Sequence, residues 1–175
     1  MIYHFKMTSI ENPDFERQIE IDAQNSFSDF HECIQDTCDY GTDQLASFFV
    51  AAQQPGRQIE ITLLDMGLNG FQPLIMGKTK LKDLILDKDQ RLLYVFDFFN
   101  DRSFYIELTQ IYMEKNLREP KVTYKKGNAP VQVIEQDIQN GVLKDSESND
   151  VIQDYGDLDD YTEIFGEMED LVEGD

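Results

Sequence analysis

The chain has 175 residues, the length of one domain with room for an appendage, since domains run roughly 100–200 residues. Its 35 Asp and Glu against 15 Lys and Arg leave a formal charge of -20, which repels polyanions and argues against unaided binding to nucleic acid or to an anionic membrane. An apolar share of 41% and an aromatic share of 11% still supply a packed core. The opening Met-Ile-Tyr-His-Phe-Lys lacks an apolar leader, and no stretch approaches the ~18 apolar residues of a membrane span, so a cytoplasmic protein is expected.

In chain order, Ile2 to Ile10 mixes β-branched and aromatic residues, Glu11-Asn12-Pro13-Asp14 carries turn chemistry, and Phe15 to Ile21 alternates, which predicts a hairpin. Ser26 with Asp29 three residues on predicts a capped helix start. Phe27, Phe30, Ile34 and Cys38 then mark one apolar face of a helix ending before Gly41. Leu45 to Val50 and Gln58 to Leu64 are strand candidates, and Met66 to Gly77, with three glycines and Pro73, reads as a loop. A shorter helix is expected from Thr79, with Asp83 in its first turn. Arg91 to Phe98 has the near-continuous apolar pattern of a strand covered on both faces. Ser103 to Met113 alternates, with Phe104, Ile106, Leu108 and Gln110 on one side and Tyr105, Glu107, Thr109 and Ile111 on the other. Lys121 to Lys126 is a basic strand suited to a sheet edge. The expected class is α+β, a largely antiparallel sheet with two main helices.

Charge divides the chain more sharply than composition does. Residues 1–130 hold 20 acids and 14 bases, a net of -6, whereas residues 131–175 hold 15 acids and the single base Lys144, a net of -14. The turn chemistry of Gly127-Asn128-Ala129-Pro130 marks the boundary, so 1–130 reads as the folded body and 131–175 as an acidic C-terminal extension. Apolar spacing within the extension predicts helices over 131–143 and 158–172, the second amphipathic with an intensely acidic outer face. It would pack on the body or on a partner.

Three blocks of the body carry a family likeness. They are Pro13-x-Phe15-x-Arg17-x-Ile19; Ser26-Phe27-x-x-Phe30-His31-x-x-Ile34-Gln35 with the following Tyr40-Gly41-x-Asp43-Gln44-Leu45; and the strand-turn-strand run from Tyr94 to Leu108. Together they resemble the plasmid pRiA4b ORF-3-like family, which also occurs among passenger proteins of mobile elements. The likeness spans roughly residues 1–126. Polar positions depart from the family pattern: Phe99 stands for a glycine, Arg102 for a tryptophan, and Phe104 and Gln44 for histidines. The resemblance therefore implies a fold and a mobile-element context, in a family with no settled activity.

Few residues carry chemistry. Five positions on a helix separate Cys33 from Cys38 by about 140°, so the two thiols do not bridge, and the spacing matches neither a redox pair nor a zinc knuckle. Asp97, set between Phe96 and Phe98, needs hydrogen bonds or a cation, for which Arg17, Arg91 and Arg102 are the candidates. His31, Asp97, Arg17 and Arg102 are the candidate groove or ligand-binding residues; no catalytic residue, metal site or cofactor is expected. A noncatalytic interaction module binding a protein with a basic surface is the leading reading. An enzyme or nucleic-acid-processing accessory of a mobile element is the alternative, favoured if those residues converge on one cleft, and a DNA-mimicking protein is a third.

Overall fold

The computed structural model describes residues 1–51, 58–65, 67 and 73–134. The elements are β1 (Ile2–Ser9), β2 (Glu16–Asp22), α1 (Phe27–Cys38), β3 (Ser47–Ala51), β4 (Gln58–Thr62), β5 (Leu74–Ile75), α2 (Leu81–Leu84), β6 (Arg91–Asp97), β7 (Arg102–Tyr112) and β8 (Lys121–Lys126). The strands form one eight-stranded sheet in the order β5-β4-β3-β6-β7-β1-β2-β8. Every pairing is antiparallel except the two-residue β4–β5 contact. The class is therefore α+β with a largely antiparallel sheet, and residues Met1–Gln132 form one compact unit. Among the described residues no helix is long and apolar enough to cross a membrane.

α1 starts where its sequence dictates. The Ser26 hydroxyl accepts from the Asp29 N–H at 3.1 Å, while the Asp29 carboxylate accepts from the Ser26 N–H at 2.7 Å. The helix stops at Asp39, which adopts a left-handed φ of 58°, two residues before the glycine expected to end it. Its apolar face meets the sheet through aromatic pairs: Phe30 stacks on Phe5 at 4.8 Å and on Phe48 at 5.4 Å, and Phe27 meets Phe48 at 5.2 Å. Alternate residues of the central strands complete this core, among them Phe5, Met7, Ile19, Ile21, Tyr94 and Ile106. Each large apolar side chain so buried stabilises the fold by roughly 1.5–3 kcal/mol.

Several expectations need correction. The loop expected over Met66 to Gly77 ends in β5 and in a 3-10 turn, Met76–Lys78, which buries Met76 completely. The second helix is a single turn starting at Leu81 rather than Thr79, because Lys80 is an extended cap whose N–H goes to Asp83. The alternation of β7 breaks at Thr109: Leu108 faces Phe5, Gln110 faces His4 and Ile111 faces Tyr3. Thr109 is the extra residue of a bulge, and its hydroxyl donates to the His4 carbonyl at 3.0 Å. Gln110 thus leaves the core face and Ile111 joins it. β6 is not covered on both faces: Leu92, Tyr94 and Phe96 lie in the core, whereas on the opposite face Val95 is buried but Leu93 lines an open groove. Of the helix expected over 131–143, residues 131–134 are not helical. Its remainder and the 158–172 helix lie outside the described residues.

Gly127 closes the turn after β8 at φ +65°, and a Cβ there would sit 2.6 Å from the Asp14 carbonyl oxygen. Both strain and backbone clash oppose a side chain. Gly127→Ala should therefore lose at least about 1–3 kcal/mol in a urea melt, and a loss near zero would contradict this geometry.

Candidate functional site

The candidate residues gather around one buried aromatic layer. Phe104 of β7 is its centre, with ring centroids 4.9 Å from Phe15, 4.8 Å from Phe96, 6.0 Å from Tyr40 and 6.3 Å from Tyr94. The Arg17 guanidinium lies 4.4 Å over Phe15, and that of Arg102 lies 5.0 Å over Phe96. His31 meets Tyr94 through a 2.8 Å hydrogen bond between Nδ1 and the phenol oxygen. Arg17, His31 and Arg102 are all buried.

A register irregularity builds the Arg102 end of this layer. Val95 pairs with Ser103 but Asp97 pairs with Arg102, so Phe96 and Asp97 together oppose one residue. Arg102 can then stack on Phe96 and reach the Asp97 carboxylate, 3.4 Å from Nη1. Nε and Nη2 donate to the two carboxylate oxygens of Glu11, each at 3.0 Å, the bidentate arrangement that guanidinium geometry favours. The same side chain donates to the carbonyls of Val131 at 2.6 Å and Gln132 at 3.2 Å. Burial opposes the charge on Arg102, but Glu11 and Asp97 outweigh that penalty and hold it protonated. Asp97 is itself saturated, since it also accepts from the backbone N–H groups of Phe99 and Asn100. Burial works against its ionised form, and the donors from Asn100 and Arg102 overcome this and lower its pKa.

The segment that leads to the acidic extension is fastened at this point. The Tyr40 hydroxyl donates to the Pro130 carbonyl at 2.7 Å, and the Gln132 side-chain amide exchanges hydrogen bonds with the backbone of Gly41, at 2.7 and 3.0 Å. Residues 128–132 are therefore built into the body.

Arg17, only 2% exposed, is satisfied by carbonyls rather than by a carboxylate. It donates to Thr37 in the last turn of α1 at 3.3 Å, to Lys126 at 2.7 Å and to Glu16 at 2.9 Å. The carbonyl end of α1 favours a cation there. Burial pushes the thiols up, Cys38 to about 12 and Cys33 to about 11, which removes both as nucleophiles near neutral pH. Two surface grooves lie elsewhere. One of about 590 Å³ sits on the sheet face away from α1, floored by Phe49, Leu93 and Tyr105, and one of about 620 Å³ lies between α1 and the β8 side of the sheet. Neither is lined by Arg17, His31, Asp97 or Arg102. Arg17, His31 and Arg102 are instead joined through the aromatic layer, with Asp97 at its Arg102 end. Sequence reasoning did not assign Glu11, Tyr40 or Gln132 to this cluster: Glu11 read only as turn chemistry, Tyr40 only as part of the family likeness, and Gln132 carries no motif.

Two outcomes follow from this chemistry. Arg102→Ala strands Glu11, Asp97 and two carbonyls, and should cost about 3 kcal/mol, near the low end for a broken buried pair because Glu11 keeps solvent contact. Arg102→Lys should recover only part of that, lacking the fork; urea midpoints at constant m-value measure both. Burial also lowers the His31 pKa below its ordinary 6.5, so the unfolded chain binds more protons as the pH falls through that value. Stability should then decline from about pH 7 to about pH 5, and His31→Gln should flatten that slope. An unchanged slope in the variant would refute the assignment.

Comparisons with known proteins agree with this architecture. A solved structure of a protein of unknown function from Methanosarcina mazei Go1 superposes with a TM-score of 0.57 at 23% sequence identity, covering 71% of this chain and 68% of that one. At that identity the likeness speaks for the fold alone. No curated protein matches the chain significantly. The family model of the plasmid pRiA4b ORF-3-like protein matches residues 2–137, the whole compact body and the start of the acidic extension. With the three sequence blocks placed on β2, on α1 and on the β6–β7 hairpin, the chain belongs to the plasmid pRiA4b ORF-3-like protein family.

Proposed function

We propose that the protein is a noncatalytic interaction module whose acidic extension, residues 131–175, engages a partner protein with a basic surface. The observation that carries this reading is the charge asymmetry: a net of -14 in 45 residues attached to a body of 130 residues that carries only -6. Such a field accelerates encounter with cationic surfaces and repels phosphate backbones. The engagement of Arg17, His31, Asp97 and Arg102 in internal hydrogen bonds supports the noncatalytic part.

The full chain should bind a fluorescent lysine–serine peptide, with an affinity that falls steeply as salt is raised. A full-length variant with the 15 acids of residues 131–175 changed to their amides should lose most of that binding. Equal binding by both proteins, or none by the native chain, would overturn the reading.

A further inference from the structure

We infer that the Arg102 end of the sheet, where Ile10, Phe98, Phe99 and Val131 stand exposed among carboxylates, is a docking surface for an amphipathic basic segment of a partner protein. The inference deepens the function proposed above and rests on it. The topology brings the pieces together. β1 ends at Ser9 opposite Phe104, and β6 ends at Asp97 opposite Arg102, so the β1–β2 and β6–β7 turns leave adjacent strands at the same end of the sheet. Arg102 ties both to the Val131 and Gln132 carbonyls, and Gln132 ties in the loop at Gly41.

Apolar side chains at this end lack cover. Phe99 is 99% exposed, Ile10 72%, Val131 67% and Phe98 47%. Scattered exposed hydrophobics are ordinary, but four on three segments tied to one guanidinium make a patch. Their backbone is held as well: Asp97 accepts from the N–H groups of Phe99 and Asn100, and Asp101 closes the turn at φ 52°. Little ordering entropy remains to be lost on binding.

Charge decides the occupant. Residues 10–14, 39–43 and 97–101 contain Glu11, Asp14, Asp39, Asp43, Asp97 and Asp101 and no Lys or Arg. Arg102 is buried and spent, and Lys126 at the margin lies 3.8 Å from Asp14. A second copy would set these carboxylates against each other on a chain of net charge -20, and an anionic bilayer would be repelled. A helix or strand with apolar residues on one side and lysine or arginine around them meets both properties of the patch.

The test uses full-length protein and two fluorescent peptides of equal positive charge, one an amphipathic leucine–lysine helix, the other lysine–serine. The native chain should prefer the leucine–lysine peptide by about tenfold or more, and Ile10→Ser/Phe99→Ser should abolish that preference without changing the urea midpoint, since both side chains lie in solvent. Tyr105→Ser, on the floor of the open-face groove, should leave it intact. Equal affinity for both peptides overturns the inference while leaving charge-driven recognition standing. So does a preference that survives in the double variant or disappears with Tyr105→Ser. A dimer in sedimentation velocity that Phe99→Ser dissolves assigns the patch to a second copy instead. If neither peptide binds, the inference and the function it rests on fall together.

Discussion

A guanidinium buried in a protein must find a partner for each of its donors or cost several kcal/mol, and Arg102 meets that demand by drawing on three segments, two of them distant in sequence. Glu11 comes from the first turn, Asp97 from the strand before, and the Val131 and Gln132 carbonyls from the far end of the body. Of these, only Asp97 sits on a strand with ladder partners; Glu11 and the 131–132 stretch belong to irregular chain. One charge joins all three, and the aromatic layer of Phe15, Tyr40, Phe96 and Phe104 fills the space behind it.

The same layer shapes the acid–base character of the interior. Tyr94 and Tyr40 are pushed above the ordinary phenol range by burial, His31 is pushed down, and both cysteines are pushed up. Each group is thereby held neutral around physiological pH, while of the two buried arginines Arg102 is paired with carboxylates and Arg17 is solvated by carbonyls alone. The interior thus carries little charge beyond that of Arg17. The charge that distinguishes the molecule lies outside it, in the extension and in the turns around Arg102.

Much of the body is legible in the residues themselves. The Ser26–Asp29 cap, the Phe27–Phe30–Ile34 stripe and the alternation of β2 and of β7 up to Leu108 obey local rules, and the lysine-rich β8 does take an edge of the sheet. What escapes is whatever depends on strand register. A bulge at Thr109 or at Phe96–Asp97 arises from pairing between distant strands, so no pattern along β7 or β6 alone reveals that Ile111 turns inward or that Asp97 lies beside Arg102. Glu11 and Gln132 are invisible for the same reason: their importance comes from the arginine they reach. Asp97, by contrast, stood out as a carboxylate in an apolar run, and three arginines could have answered it. Only the fold chooses among them.

The strand order also has a consequence in time. β1 lies between β2 and β7, and its partner across β7 is made late, since Phe5 pairs with Leu108. During synthesis at about 5–20 residues per second, the first hairpin waits roughly 5–20 s for the strand that covers its second edge. Through that interval Tyr3, Phe5, Met7, Ile19 and Ile21 have no completed sheet to enter, which exposes an apolar hairpin to chaperones and to other nascent chains. The sheet therefore closes around β1 only when β7 arrives, and Arg102 can reach the Val131 and Gln132 carbonyls only later still.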